Sequence, residues 1–288
     1  MGRRAKITVA VLLVTVAAVI AWRVLSNREP LYQGRPVRLW LEKTDPYFLA
    51  SRTQIGEVVR HTGTNAIPIL LQMMQAKDSP LVLKWASLTR NHPFLKNLYN
   101  PPVPAEERRV RAVYGFAKLG PDAKDAVPTL IALYGRDLSV SGQATIANAL
   151  GRVGPPAKAA IPFLLSRAAN SNIHVRANAL YALGHIHAEP HLVVPVLVQS
   201  LSDPEMLVRL LAAEGLKLFG ADAQAAVPPL VAMLQTWNVE VRRRARTALE
   251  SAEQDEFSHE ADIDDLIVAI EDALKVIDPA AAAKEGIR

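Results

Sequence analysis

A twelve-residue stretch from Gly154 to Leu165, GPPAKAAIPFLL, recurs along the chain and constrains its fold more than any other feature. GPDAKDAVPTLI begins at Gly120, GADAQAAVPPLV begins at Gly220, and a more divergent copy, HAEPHLVVPVLV, begins at His187. A fixed period of this length is typical of small supersecondary units that stack and pack mainly on their neighbours. The prolines of the four copies follow one another at intervals of 34, 33 and 33 residues: Pro128, Pro162, Pro195 and Pro228.

Each unit is predicted to contain two helices. The first runs for about eleven residues after the glycine and holds its proline in the opening turn, where a missing N–H costs little. Apolar residues then recur at helical spacing, as at Val127, Leu130 and Ile131. The second helix ends at the glycine of the next unit, a common C-cap residue. It carries a Val-Arg pair near its start: Val110-Arg111, Val175-Arg176, Val208-Arg209 and Val241-Arg242.

The composition favours helix packing over a sheet. Half of the residues are apolar and 6% are aromatic, and the apolar content comes mainly from Ala, Leu and Val. There is no cysteine, which excludes disulfides, thiolate zinc sites, a cysteine nucleophile and a lipoprotein anchor. The chain is therefore compatible with an oxidising compartment.

The internal pattern of the units resembles one particular helical repeat. The signatures of tetratricopeptide and ankyrin repeats are absent. The Gly-x-x-Ala-x-x-Ala-Val/Ile-Pro-x-Leu opening, the Asp203-Pro turn and the following Val208-Arg209 resemble the short bacterial HEAT repeat of the phycobilisome-lyase-like type, over residues 60–252. This resemblance implies an all-α fold, a right-handed α-α solenoid of helix pairs whose curved surface binds other macromolecules. It does not imply a chemistry.

Two details of the repeats follow from the same resemblance. In HEAT families, the arginine of Val-Arg commonly pairs with the acid of the preceding turn, so Arg209 is expected to pair with Asp203 within one repeat. The arginine series is therefore interpreted as a structural ladder rather than a ligand-binding row. The third unit has His187 and Pro190 in place of the usual glycine and alanine, which predicts a turn of different shape.

The N-terminus has the pattern of a membrane anchor. Arg3, Arg4 and Lys6 precede an uncharged run over residues 7–22, followed by Arg23. The run is slightly short for a spanning helix of about 20 residues and slightly long for a signal-peptide core of about 7–15 residues. We predict a signal anchor over residues 1–28 with the N-terminus inside and the repeats outside. A signal peptide cleaved after Ala21 is the alternative.

The lead-in also links the chain to anchored proteins. Tyr32-Gln33-Gly34 and Leu39-Trp40-Leu41 resemble the same region of membrane-anchored bacterial HEAT-repeat proteins. Residues 29–62 are predicted to form a linker and N-terminal capping helices, with Pro36 starting a short helix that has Val37, Leu39, Trp40 and Leu41 on an apolar side.

About five repeats are predicted over residues 63–252. The segment AIPILL at Ala66 matches AIPFLL at Ala160, but Pro68 and Pro128 are 60 residues apart, so the first unit contains an insert at residues 79–104. Insertions in solenoids often lie on the binding face. The insert supplies most of the predicted partner-binding residues: Trp85, Phe94, Lys96 and Tyr99.

The C-terminal region has a basic segment followed by an acidic segment. Arg243 and Arg244 belong to a basic helix that completes the set of predicted partner-binding residues, although a solvated helix face is the simpler interpretation. An acidic capping helix is predicted over residues 253–278, followed by a loose tail over residues 279–288. The apolar residues of that helix follow helical spacing: Ile263, Leu266, Ile267, Ile270, Leu274 and Ile277.

No motif supports catalysis. His185, His187 and His191 with Glu189 have metal-like spacing, but alternating residues of one extended turn point to opposite sides, so no metal or cofactor is predicted. A HEAT-type hydroxylase, which resembles this fold, binds iron through repeated His-Glu pairs; here only His259-Glu260 occurs. Phycobilin lyases share the repeat type, but no recognisable chromophore site is present. P-loop, dinucleotide, G-x-S-x-G and H-E-x-x-H motifs are absent.

Nucleic-acid binding is the second alternative. Residues 61–249 hold twenty basic and twelve acidic residues, and the basic ones are spread rather than striped. The sequence therefore predicts a membrane-tethered, non-catalytic scaffold that binds another protein, with a lyase-like or metal-dependent enzyme and a nucleic-acid-binding protein as alternatives.

Overall fold

A computed structural model describes residues 29–43, 49–80, 84, 103–136, 139–236 and 257–287 of the chain. Within these ranges, the regular structure is helical except for one hairpin near the N-terminus. The hairpin pairs β1 (Leu31–Tyr32) with β2 (Arg35–Pro36) in antiparallel register, and α1 (Val37–Lys43) follows directly. Gln33 and Gly34 form the two-residue turn, both with positive φ, which matches the twist of the paired strands. The sequence predicted only a linker here.

The hairpin covers the first helices of the stack. Val37 and Leu41 are fully buried, and the indole Nε1 of Trp40 donates a hydrogen bond to the carbonyl oxygen of Tyr32 at 2.9 Å. The predicted short helix is confirmed, but it begins at Val37, and Pro36 belongs to strand β2. The prediction for Leu39 is wrong, because its side chain is 42% exposed.

The remaining helices alternate between short and long elements. The short ones are preceded by 3₁₀ segments in most units, and the long ones have 14 or 15 residues in the repeats. In chain order they are α2 (Leu49–Thr62), α3 (Ile67–Met74), α4 (Ala105–Leu119), α5 (Val127–Tyr134), α6 (Val140–Val153), α7 (Ile161–Ala168), α8 (Ile173–Ile186), α9 (Pro190–Ser200), α10 (Met206–Phe219), α11 (residues 227–236), α12 (Phe257–Ile277) and α13 (Pro279–Lys284).

The repeated GPDAKDA-type stretch is a 3₁₀ turn rather than the start of one long helix. In three units, the chain forms a 3₁₀ segment (Gly120–Ala126, Pro155–Ala160 or Gly220–Ala226) before an α-helix that begins one residue before the proline. The preceding long helix ends at a glycine with positive φ, as at Gly154 with φ 77°. The predicted glycine C-caps are confirmed, whereas the predicted eleven-residue first helix is wrong in its opening part.

The third unit departs from this pattern, as its sequence predicted. His187 and Glu189 adopt left-handed backbone angles, with φ 47° and 51°, and no 3₁₀ segment separates α8 from α9. Because α9 begins at Pro190, Pro195 lies inside the helix instead of in its first turn. The expected position of this proline was therefore wrong, and its missing N–H leaves one carbonyl of α9 without its helical partner.

The helices form two layers. Successive long helices α2, α4, α6, α8, α10 and α12 pack directly on one another, and we call them the second-helix layer. The short helices α3, α5, α7 and α9 pack mainly on the long helix of their own unit and on the next 3₁₀ turn. This arrangement is an α solenoid, in agreement with the coarser part of the predicted fold class.

Glycines let the long helices approach closely. A methyl group built on Gly184 of α8 would lie 2.7 Å from the Cα atom of Gly215 on α10. On Gly151 of α6 it would lie 3.1 Å from the Cα atom of Ala182 on α8. A side chain at Gly184 would therefore force α8 and α10 apart.

The C-terminal helix closes the second-helix layer. Helix α12 packs on α10 and buries Leu266, Ile270 and Leu274 completely, as their spacing predicted. The following residues do not form the predicted loose tail. The carboxylate of Asp278 caps α13 by accepting hydrogen bonds from two backbone N–H groups, and Ala282 of α13 is buried.

The arginines of the Val-Arg pairs tie long helices to turns. Arg111 is 4% exposed and donates to the carbonyl oxygens of Leu41 and Glu42. Arg176 donates to the carbonyl oxygens of Asn170 and Ser171 at 2.8 and 3.1 Å. These bonds satisfy carbonyls at the ends of the preceding helices, where the helical pattern leaves them unpaired.

The predicted pairing of Asp203 was assigned to the wrong repeat. Its carboxylate receives two parallel hydrogen bonds of 3.0 Å from Arg176, on the preceding long helix. Arg209, the expected partner, donates to the backbone carbonyls of Asp203 and Pro204 at 2.6 and 2.9 Å. The arginine series is thus a structural ladder, but it connects neighbouring repeats as well as parts of one repeat.

The Arg176–Asp203 pair should contribute to acid stability. Burial alone would raise the pKa of Asp203, but hydrogen bonds from Arg176 and from the N–H of Glu205, with the charges of Arg176 and Arg209, hold it below its ordinary value. A lowered folded pKa gives stability that is present above the unfolded value of about 3.9 and lost as the pH falls through the folded value.

We expect Asp203→Asn to lower the free energy of unfolding by about 1–3 kcal/mol at pH 7, since both side chains are largely buried, at 13% and 14% exposure. Urea denaturation at pH 7 and in acid should also show that Asp203→Asn loses less stability on acidification than the wild type does. Asp125→Asn, at an exposed position, is the matched control and should behave as wild type. An unchanged pH dependence in Asp203→Asn would contradict the assignment.

Candidate binding groove

The second-helix layer encloses a groove with a volume of about 940 Å³. Its lining residues all belong to four successive long helices, α2, α4, α6 and α8. Because these helices pack side by side and their exposed faces enclose one space, the layer is concave here. The groove is lined by Thr53, Arg60, Val110, Val113, Tyr114, Ala117, Lys118, Val140, Ser141, Ala144, Thr145, Asn148, Arg152, His174 and Asn178.

Three cations line one side of this groove. Arg60, Lys118 and Arg152 are exposed, and each lies in the last turn of its helix: α2, α4 and α6 respectively. A basic residue in the last turn is favourable because the C-terminal end of the helix dipole is negative. The last turns of three successive helices therefore place a row of positive charge along the groove.

The groove offers these cations no carboxylate. None of its fifteen described lining residues is acidic, and none of the three cations forms an ion pair with a described carboxylate. Glu106 lies near the opposite, N-terminal end of the helices, where it accepts a hydrogen bond from Ser141 at 2.8 Å. The cationic side of the groove is therefore free to bind an external anion.

Packing fixes the positions of two of the cations. A methyl group on Gly56 would lie 2.9 Å from the Cε atom of Lys118, so the lysine stem crosses α2 at a point where no side chain obstructs it. The guanidinium of Arg152 lies 5.4 Å from the ring centre of Tyr181, within reach of a cation–π interaction. Both charges are held on the groove side of their helices.

His185 and Lys217 follow farther along the stack, on α8 and α10, and each already interacts with another side chain of the protein. His185 of α8 stacks on Tyr181 at 4.0 Å, and its Nδ1 lies 3.0 Å from the carbonyl oxygen of the same residue. Burial, opposed by that hydrogen bond and assisted by Arg152, lowers the pKa of His185, so the ring is neutral at pH 7. Lys217 of α10 binds the carboxylate of Asp272 on α12 at 2.8 Å.

Hydrogen-bonding and small apolar groups fill the rest of the groove. Thr145 donates to the carbonyl oxygen of Ser141, and the Oδ1 atom of Asn148 is buried without a hydrogen-bond partner. Val110, Val140 and Ala144 provide apolar surface between the polar groups. The arrangement provides charge, hydrogen bonds and apolar contact.

The residues predicted from the sequence to bind a partner are not in this groove's described lining. Trp85, Phe94, Lys96 and Tyr99 of the insert, and Arg243 and Arg244, lie outside the described residues and stay predictions. Sequence reasoning missed the groove itself. A signal was present, because Lys118 and Arg152 each precede a repeat glycine by two residues.

The histidine-rich turn does not bring its imidazoles to one point. His185 stacks on Tyr181, whereas His187 packs edge-on against Phe219 with ring centres 5.0 Å apart. His191 is exposed, with its Nε2 atom 3.7 Å from a carboxylate oxygen of Glu189. Within the described ranges, no group of three or more His, Cys, Asp or Glu side chains is placed to hold a metal ion.

The described helices also include none long and apolar enough to cross a membrane. The predicted anchor at residues 7–22 lies outside the described part of the chain.

Part of the chain matches a known repeat family. Residues 161–250 match the family model for HEAT repeats. This match confirms the general HEAT-repeat resemblance over those residues, which include α7 to α11, and does not test the bacterial, phycobilisome-lyase-like type. The two-layer packing of the described helices is consistent with the same repeat.

Curated proteins and solved structures do not extend this match. No curated protein matches the chain. Among solved structures, the chain is similar to one from the Northeast Structural Genomics Consortium entitled "Crystal Structure of Engineered Protein", with 15% identity over 82% of this chain and 97% of that one, and a TM-score of 0.36. A TM-score this low supports no inference about architecture or function.

The chain's lack of cysteine allows a direct test of the groove. We expect a cysteine at Ala144, on the groove wall, to react with a thiol reagent at least about 100-fold faster than one at the fully buried neighbour Ala147. Reaction rates would be measured by absorbance on the two single-cysteine variants in the full chain, after checking helicity by circular dichroism. Equal rates would mean that the groove is closed in solution.

Proposed function

We propose that this chain is a non-catalytic scaffold that binds another protein in the groove of its second-helix layer. The observation that supports it best is the cavity of about 940 Å³ between four successive long helices, which is lined by polar and apolar side chains. The HEAT-repeat match supports the proposal, since such repeats generally act as protein-interaction scaffolds. The predicted insert at residues 79–104 is a second candidate contact.

A photocrosslinker placed in the groove tests this function. A benzophenone maleimide would be attached to Ala144→Cys in the full chain, and the protein would be irradiated in cells and analysed by mass spectrometry. We expect one specific protein adduct, because a protein bound in the groove lies within reach of residue 144. Lys124→Cys, in an exposed 3₁₀ turn, is the control position and should not yield that adduct.

Other outcomes of the same experiment distinguish the alternatives. Adducts to nucleic acid alone would overturn the scaffold proposal in favour of a nucleic-acid-binding function. Identical protein adducts from the two positions would show that the groove has no specific partner. A tightly bound metal in the purified protein, measured by elemental analysis, would favour the enzyme alternative.

We further propose that residues 7–22 tether the scaffold to the cytoplasmic membrane with the repeats outside. The proposal is supported by the basic residues Arg3, Arg4 and Lys6 before an uncharged run of sixteen residues. Cleavage after Ala21, with release of the repeats, is the alternative.

Labelling of single cysteines in intact spheroplasts checks this topology. A membrane-impermeant maleimide should label Ala144→Cys without lysis but Gly2→Cys only after lysis, because the reagent reaches only the outer face. Protection of both cysteines until lysis would place the repeats inside. The mass of the intact protein separates an uncleaved anchor from a chain that begins at Trp22.

A further inference from the structure

The groove's charge indicates what kind of segment it binds. We infer that it accepts an acidic polypeptide segment of the partner protein, whose carboxylates bind Arg60, Lys118 and Arg152. The inference rests on the proposed function and adds the chemistry of the partner.

Charge complementarity is the first argument. The three exposed cations lie in the last turns of α2, α4 and α6, and the described groove lining contains no carboxylate. Elsewhere in the same row, Lys217 is neutralised by Asp272 of the chain's own C-terminal helix. Lys217 shows that a cation in the last turn of a long helix binds a carboxylate when the chain supplies one, and the described groove lining supplies none.

Helix spacing sets the pattern of the acidic segment. Neighbouring packed helices are separated by about 8–10 Å, so cations on three successive helices are spaced at about that interval. A polyproline II segment advances about 3.1 Å per residue with three residues per turn, so carboxylates at every third residue would lie on one face at about this spacing. Val110, Val140 and Ala144 line the groove nearer the N-terminal ends of the helices and suit aliphatic side chains of the bound segment.

A nucleic acid fits the same surface less well. Binding through phosphates generally relies on about six to ten closely spaced contacts, whereas this groove supplies three separated cations. Single strands also bind by stacking bases on aromatic rings, and Tyr114 is the one aromatic residue among the described lining residues. The apolar side chains of the lining favour a polypeptide.

Fluorescence anisotropy with defined probes tests the inference on the full chain in detergent. The acidic probe is a labelled peptide of about twelve residues with repeating Glu-Val-Ser, long enough to cross three helices with flanking residues. Its neutral twin has Gln in place of Glu, and an oligothymidylate of similar length represents the nucleic acids. We expect the acidic peptide to bind more tightly than either of these, with an affinity that falls as salt is added.

Charge variants locate the binding. We expect each single substitution, Arg60→Gln, Lys118→Gln or Arg152→Gln, to lower the affinity for the acidic peptide by about two- to fivefold. The triple variant should lower it by about tenfold or more. The matched control combines Lys124→Gln, Arg136→Gln and Lys158→Gln, which remove the same charge from exposed positions outside the groove and should leave affinity unchanged. All six positions are exposed, so the fold should be retained.

The inference is overturned if the acidic peptide fails to bind, if its Gln twin binds equally well, or if both triple variants lose the same affinity. Preferential binding of the oligothymidylate would also overturn it. Photocrosslinking in cells separates this result from the proposed function. If the groove triple variant still yields the specific protein adduct at residue 144, the scaffold function stands and only the acidic nature of the partner is wrong.

Discussion

The close contact between successive long helices is the constraint on which the rest of the structure depends. Gly184 and Gly215 bring the backbones of α8 and α10 so near that even one methyl group would meet a Cα atom at 2.7 Å. Gly151 allows a similar approach between α6 and α8. This side of the stack is therefore packed more tightly than the layer of short helices, and the groove lies on it.

Arginines serve two separate purposes in this stack. Those near the start of the long helices, Arg111, Arg176 and Arg209, bond to carbonyl oxygens of the turns, and Arg176 also binds the carboxylate of Asp203. Those in the last turns, Arg60 and Arg152, remain exposed on the groove. The two sets of arginines therefore lie at opposite ends of the long helices and provide internal links and an external binding surface respectively, and the helix dipole favours the cations at the C-terminal end.

Among the described long helices, the C-terminal helix α12 explains why the cations without a carboxylate partner lie on α2, α4 and α6 and not on α10. Helix α12 packs on α10, places Asp272 against Lys217, and buries Leu266 and Ile270. That interaction closes the layer and removes a positive charge at the same time. The uncompensated cations therefore lie on α2, α4 and α6, where the groove is.

The sequence by itself determined the repeat period, the two helices of each unit, the glycine caps and the divergent turn at His187. These features depend on residues close in the chain, and periodicity records them directly. Tertiary structure decided the hairpin at Gln33-Gly34 and the pairing of Asp203 with Arg176 rather than Arg209. It also decided the groove, because Arg60, Lys118 and Arg152 come together only when helices from three units pack side by side. No local pattern specifies that distance or which charges the rest of the chain leaves unpaired.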